Sequence, residues 1–187
     1  MASASADSPP VRVAYSAYGL LLAGTALWCA AIMAAPLFST LDGGYAEAAG
    51  LLYSFFHPIC HQLDSHSLHI GGAKLGVCTR CFSVYSGFLL GLLVYPAVRP
   101  LRATLLPHRF LLIGAAVPMV LDVGLSLLGL PAGTQVSRML TGSVFGLTAP
   151  FFLVPAVIEG CAQLLASPPL ITNRSHPHEG ISDATET

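Results

Sequence analysis

Four long apolar runs dominate the chain, and short polar segments separate them. The runs cover roughly residues 15–38, 81–98, 110–130 and 139–165. Each is close to or above the roughly 20 residues that an α-helix needs to cross the hydrocarbon core of a bilayer. Hydrophobic side chains make up 54% of the chain and charged ones only 9%, with a mean hydropathy of +0.71. The pattern predicts an all-α integral membrane protein, a four-helix bundle within residues 13–166.

The first apolar run has a competing interpretation as a cleaved signal peptide, with small residues at Ala30-Ala31 or Ala34-Ala35 for cleavage. However, no charge occurs from Val13 to Leu41, and this stretch exceeds the roughly 7–15 apolar residues of a signal peptide. We therefore expect an uncleaved spanning helix. The mostly small and polar residues 1–12 and 167–187 are expected to be disordered tails.

Small residues recur at four-residue spacing in two of the predicted spans. Ser83, Gly87 and Gly91 lie in the second span, and Gly142 and Gly146 lie in the fourth. In membrane helices such spacing lets a neighbouring backbone approach closely. We expect these positions to pack the bundle and to have no chemical role.

The segment between the first two spans, residues 42–80, is predicted to form a cap on the bundle. It opens with a Gly43-Gly44 turn, followed by a helix from Tyr45 to about Phe56. Pro58 would end that helix, because proline lacks the backbone N–H and clashes with the preceding turn. Asp64 to Gly76 is polar and contains glycine, which is typical of a loop.

Three of the five cysteines and four of the seven histidines lie between residues 57 and 81. His57-x-x-Cys60 and Cys78-x-x-Cys81 form two pairs with seventeen residues between them, a spacing typical of tetrahedral metal sites. One histidine with three cysteines suits zinc first, and iron or copper after it. His61 is a spare donor that could replace His57 as the fourth ligand, act as a base next to the ligands, or bind an external ligand.

The same cysteines have two other interpretations. Cys78 and Cys81 could cycle between dithiol and disulfide, with Cys60 as the exchanging thiol and Arg80 stabilising a thiolate. They could also be small hydrophobic residues near a membrane surface. An odd number of thiols in this segment favours metal or redox chemistry over structural disulfides. Cys29 and Cys161 are expected to be packing residues. His66 and His69 are expected to be loop residues, with gating or feeding of a metal site as the alternative.

Basic residues gather between the second and third spans, at Arg99, Arg102, His108 and Arg109. Short basic loops remain in the cytoplasm, so both termini are predicted to be cytoplasmic and the cap extracytoplasmic. We expect a multi-pass protein of the cell (inner) membrane in contact with the lipid bilayer. The formal net charge of −1 leaves no basic face for nucleic acid, which we exclude as a partner.

Asp122 is a carboxylate within the third apolar run. Such a residue is costly at membrane depth and usually faces a polar partner. Arg80 and Arg138, both predicted near the outer ends of helices, could pair with it as buried polar residues. A proton relay or ligand-binding acid is the alternative, and it would suit a small transporter that uses Asp122 for coupling.

The sequence also resembles a family of small prokaryotic membrane proteins known as a domain of unknown function. The resemblance rests on the run from His57 to Gln62 and on Gly76 to Cys81, which leads into Tyr85 to Gly91. It extends to the Leu121 to Gly124 stretch, and then to Gly129, Arg138, Thr141, Gly142 and Gly146. It implies the membrane fold and the cysteine and histidine site, and it brings no established activity.

Together these features predict a membrane protein with a metal-binding cap. The expected cofactor is zinc, and the expected role is structural or metal handling, with docking of a membrane or extracytoplasmic protein partner as one use. A membrane thiol-disulfide oxidoreductase is the alternative, and a small transporter is a weaker one. The sequence leaves open whether the protein is an enzyme.

Overall fold

The structure is a computed structural model that describes residues 9–41, 44–103, 105–128 and 134–166. Several sequence predictions therefore lie outside the described residues. These are the tail at 167–187, the first eight residues and the Gly43 half of the predicted turn.

Within the described residues the chain is mostly helical. The helices are α1 (Val11–Thr40), α2 (Tyr45–Phe56), α3 (Thr79–Val98), α4 (Arg109–Leu127), α5 (Gln135–Thr148) and α6 (Pro150–Ala166). Four stretches are long and apolar enough to cross a membrane: Val11–Thr40, Thr79–Val98, Arg109–Ser126 and Gln135–Leu165. The predicted all-α membrane bundle with four spans is confirmed.

Several boundaries differ from the sequence expectation: α3 begins at Thr79, within the predicted cap, and α5 begins at Gln135, four residues before the predicted fourth span. Helix α1 begins at Val11, so Val11 and Arg12 are helical and do not belong to a tail. The fourth span is interrupted at Ala149 between α5 and α6. Pro150 begins α6, and because it has no N–H it cannot continue the hydrogen-bond ladder of α5.

The cap segment contains more regular structure than the predicted loop. A short 3-10 helix, Asp64–His66, is followed by strands β1 (His69–Ile70) and β2 (Ala73–Lys74). The two strands pair antiparallel, with Ile70 opposite Ala73. Gly71 and Gly72 join them at φ values of +59° and +85°, the left-handed region that glycine adopts without a steric penalty.

Helices α3 and α5 pack in parallel with their backbones in direct contact. A Cβ atom added at Gly146 would lie 2.2 Å from the Val84 carbonyl oxygen, and one at Gly142 would lie 2.9 Å from that of Arg80. On α3, a Cβ atom at Gly87 would lie 2.8 Å from the Ser143 carbonyl oxygen. The small-residue rows of the two spans therefore face each other, as close helix packing requires.

Apolar side chains form two buried clusters, one at each end of the bundle. One joins α1, α3 and α6 around Leu92, Tyr95 and Ile158. The other joins α1 to the cap around Ile32, Phe56 and Leu75, and it includes Cys60. The cap therefore closes one end of the bundle, and its cysteines lie where the cap meets the first turn of α3.

Candidate metal centre

Gln62 fixes the conformation of the chain just after Cys60. Its backbone has φ of +48°, and its side chain is buried. The side-chain amide donates hydrogen bonds to the carbonyl oxygens of Tyr53 at 2.8 Å and Gly76 at 2.9 Å. Lys74 Nζ in turn donates to the Gln62 carbonyl oxygen at 3.0 Å. Gln62 thus ties the end of α2 to the chain segment that precedes Cys78.

Gly76 anchors the same segment to the first span. Its N–H donates to the Ile32 carbonyl oxygen of α1 at 3.2 Å. A Cβ atom at this position would meet that oxygen and the Phe56 ring, each at 3.2 Å. The close approach leaves little room for a side chain. It holds the segment that leads to Cys78 against α1.

The structure brings three cysteine sulfurs together at this point. Cys60 follows α2, Cys78 immediately precedes α3, and Cys81 lies in the first turn of α3. Their three Sγ atoms lie within 4.8 Å of one another. Cys60 is buried and the other two are partly buried. We call these residues the cysteine triad.

The surroundings of the triad favour a thiolate at Cys60. Hydrogen bonds from the thiols of Cys78 and Cys81 lower the pKa of the Cys60 thiol, against the opposing effect of burial. The backbone N–H of Cys78 also donates to Cys60 Sγ at 3.1 Å. Because the triad lies at the N-terminal end of α3, the positive end of the helix dipole acts in the same direction.

Neither of the predicted histidine ligands joins this group among the described residues. His57 and His61 are both exposed. Of the two sequence pairs, Cys78-x-x-Cys81 converges, whereas His57-x-x-Cys60 contributes only its cysteine. Since Phe56 is the last residue of α2, His57 begins the turn that carries the chain to Cys60.

The other candidate cysteines and histidines lie apart from the triad. Cys29 is buried on α1, and Cys161 is partly buried on α6. His69 Nε2 lies 3.2 Å from an Asp64 carboxylate oxygen at the surface of the cap. His66 is partly buried, and its pKa is lowered, first by burial and then by the positive charges of Arg138 and Arg80.

Asp122 of α4 forms an ion pair with Arg80 in the first turn of α3. Ser137 Oγ donates to the other carboxylate oxygen at 3.3 Å. The Asp122 side chain is 9% exposed and that of Arg80 is 20% exposed, so the pair is largely removed from solvent. Arg138, the second arginine expected near Asp122, is buried at 7% exposure.

Aromatic rings cover the bundle side of the triad. Trp28 of α1 stacks edge-on against Phe56 and Tyr85, with ring centroids 5.2 Å and 5.7 Å apart. Trp28 and Tyr85 also line an apolar cavity of about 570 Å³ between α1, α3 and the last span. The triad therefore lies against an apolar cluster that Trp28 and Tyr85 extend toward this cavity.

Sequence reasoning missed two residues that shape this site. Gln62 appears in the sequence only as the end of the run from His57, and its place directly after Cys60 and His61 is the one local signal of its role. Thr79 separates Cys78 from Arg80 and is fully buried, with its Oγ1 lacking a partner among the described residues. Local sequence does not show which polar side chains point inward.

Comparison with known proteins places the chain among membrane proteins. The family model described as Predicted membrane protein (DUF2085) matches residues 60–152. The uncharacterized protein MJ1492 of Methanocaldococcus jannaschii is 32% identical over 145 residues, covering 76% of this chain and 93% of that protein. No solved structure matches the chain. The matched family region begins at Cys60 and contains the whole triad.

Proposed function

The chain belongs to the DUF2085 family of predicted membrane proteins, and on that premise we propose that it is an integral membrane metal-binding protein whose site is the cysteine triad. The convergence of Cys60, Cys78 and Cys81 within 4.8 Å is the observation that carries the proposal. Zinc is the metal that we propose first, with iron or copper as alternatives.

The donor geometry fits such an ion. Zinc–sulfur bonds of about 2.3 Å in a tetrahedral site place sulfur atoms about 3.8 Å apart. Sulfurs already within 4.8 Å need only small side-chain rotations to reach that separation. The lowered pKa of Cys60 and its N–H···S hydrogen bond favour the deprotonated form that binds metal.

The triad supplies three ligands, so a fourth position is left for another donor. We propose that His57 or His61 fills it after a movement of the turn between α2 and Gln62, or that an external ligand does. A fourth protein ligand would make the ion structural, since it would join the cap to α3. An external ligand would make the site suited to metal handling or to docking a partner at the cap.

The first experiment is elemental analysis together with a thiol count on the purified, detergent-solubilised protein. We expect about one zinc per chain in the wild type and in Cys29→Ser, because Cys29 lies outside the triad. Cys78→Ser should lose most of the metal. Of His57→Gln and His61→Gln, the variant that removes the fourth ligand should retain the metal with weaker affinity, because three sulfur donors remain. Neither variant should weaken it if an external ligand fills that position.

A membrane thiol oxidoreductase is the second candidate, and the apolar cavity beside the triad favours it. Cys78 and Cys81 would form a disulfide and release two electrons and two protons to a quinone-class acceptor, which becomes a quinol. Trp28 and Tyr85, shared by the cavity and the wall of the triad, would lie between the two. A protein without metal, with two thiols that titrate only after reduction, would replace the metal proposal with this one.

A transporter that uses Asp122 as a coupling acid has less support. The Asp122 carboxylate is bound by Arg80 and Ser137, which favours a structural ion pair. We further propose that the cap faces the extracytoplasmic side and that both termini are cytoplasmic.

A further inference from the structure

A buried arginine, Arg138, lies near the ion pair of Arg80 and Asp122, where α3, α4 and α5 reach the cap. Asp122 is the carboxylate that Arg80 binds. Arg138 is 93% buried, and no acidic side chain of the described residues pairs with its guanidinium. The neighbouring stretch 129–133 contains no Asp or Glu either. Among the described residues, the buried positive charge of Arg138 therefore has no counter-charge, which is costly at the edge of a membrane.

Two further buried hydrogen-bond donors, both in the first turn of α3, lack a partner among the described residues. They are the Thr79 hydroxyl, in a side chain with no exposed surface, and Arg80 Nε. Buried donors are normally satisfied, so each orphan donor calls for an acceptor. An anion with several acceptor oxygens would compensate the charge of Arg138 and accept hydrogen bonds from the Thr79 hydroxyl and Arg80 Nε.

The packing of α3 against α5 places these groups side by side. Gly142 of α5 abuts the Arg80 carbonyl, and Arg138 lies one turn earlier on α5. Because the two helices run parallel, Arg138 lies beside the first residues of α3, which begins at Thr79. The positive charges of Arg138 and Arg80 both lower the pKa of His66, so these basic residues share one neighbourhood.

We propose that Arg138, Arg80 and Thr79 form a binding site for an anionic phosphate group, which uses none of the sulfur atoms of the cysteine triad. Guanidinium groups bind phosphate through paired N–H donors, and the hydroxyl adds a third donor direction. The site lies at the ends of three membrane spans, the depth at which lipid headgroups are found. The headgroup of an anionic phospholipid carries such a phosphate, and its oxygens are the acceptors that these donors require.

The test is a thermal unfolding titration of the whole protein in dodecyl maltoside, a detergent without phosphate. Phosphatidylglycerol is one probe, and inorganic phosphate at matched ionic strength is the other. The variants are Arg138→Gln and, as a charge-matched control, Arg102→Gln, since Arg102 is exposed on the loop at the opposite end of the bundle. Thr79→Val, which keeps both guanidinium charges, is the second site variant.

We expect saturable stabilisation of the wild type and of Arg102→Gln by phosphatidylglycerol, with the half-saturating concentration raised about tenfold or more in Arg138→Gln. Thr79→Val should shift it in the same direction by a smaller factor. The same pattern with inorganic phosphate alone would support the site and identify free phosphate as its ligand. A wild type that gains no saturable stability from either probe overturns the proposal even if Arg138→Gln does not fold. Equal weakening in Arg102→Gln also overturns it, because it would indicate a nonspecific charge effect.

Discussion

Gln62 shows how much of the site depends on a single uncharged side chain. Its amide satisfies two backbone carbonyls that belong to different parts of the cap, at Tyr53 and Gly76. Both carbonyls flank chain segments that lead into the triad, one before Cys60 and one before Cys78. A change at Gln62 therefore alters the separation of two cysteine ligands without removing either.

We predict that Gln62→Glu weakens both the fold and the metal site. Glutamate keeps the length of the side chain but offers no N–H donor, so the two carbonyls lose their partner, at a cost of about 1–3 kcal/mol. Denaturant unfolding in detergent measures the stability, and competition with a chelator measures the metal affinity. Ser65→Ala at the exposed surface of the cap is the control and should change neither.

Equal stability and metal affinity in Gln62→Glu and wild type would show that the hydrogen bonds of Gln62 do not hold the cap.

The ion pair of Arg80 and Asp122 is a second feature whose effect depends on individual side chains. Removal of one partner leaves an uncompensated buried charge, which typically costs about 3–5 kcal/mol, whereas removal of both is far milder. We predict that Arg80→Met and Asp122→Leu each lower stability strongly and that the double variant recovers much of the loss. A double-mutant cycle from unfolding measurements tests this. Additive losses would mean that the two side chains do not interact.

At the scale of elements, the contact between α3 and α5 is the most constrained in the bundle. Backbone atoms of the two helices approach so closely that a methyl group at Gly146 would overlap the Val84 carbonyl oxygen. This contact also positions the site, because the first turn of α3 carries Cys81 and Arg80. Separation of the two helices would therefore move the first turn of α3 and, with it, Cys81 of the triad.

We predict that Gly146→Ala lowers the unfolding free energy by about 1–3 kcal/mol, the usual cost of overpacking. Gly114→Ala on α4 is the matched control, because a Cβ atom there meets no atom within 4 Å. Since alanine favours a helix over glycine, the control should be neutral or stabilising. If both variants unfold alike, the close packing of α3 and α5 does not determine stability.

At the scale of the whole molecule, the orientation in the membrane decides which compartment the triad faces. The cap lies at one end of the bundle, and the basic loop with Arg99 and Arg102 lies at the other, beyond the end of α3. An oxidising compartment at the cap would expose the triad to disulfide formation unless metal occupies it. Orientation and metal binding are thus linked in the proposed function.

We predict that alkaline phosphatase fused after Ser65 is active in a bacterial host and that the same reporter fused after Leu105 is inactive. The positive-inside bias of the loop between α3 and α4 is the physical reason. Green fluorescent protein at the same two positions should give the opposite result. Reversed activities would place the cap in the cytoplasm. The triad would then stay reduced without a bound metal, because cytoplasmic thiols are kept reduced.

The sequence by itself determined the membrane class, the number of spans and the segment that holds the cysteine cluster. These are encoded locally, in the length of apolar runs, the spacing of Cys78 and Cys81 and the breaking effect of Pro58. The break in the fourth span at Pro150 was not predicted. Other prolines, such as Pro96 and Pro118, lie inside unbroken helices, so a proline in an apolar run does not by itself predict where a helix ends.

Tertiary structure decided which donors converge. Spacing groups His57 with Cys60, but the turn after α2 brings only Cys60 to the triad, while Gln62 is drawn inward. The sequence offered both Arg80 and Arg138 as partners for Asp122. The packing of α3, α4 and α5 pairs Arg80 with Asp122 and leaves Arg138 buried beside it. The direction of a side chain depends on contacts between residues far apart in the chain. Periodicity and spacing describe only residues that are close in sequence, so they do not predict those contacts.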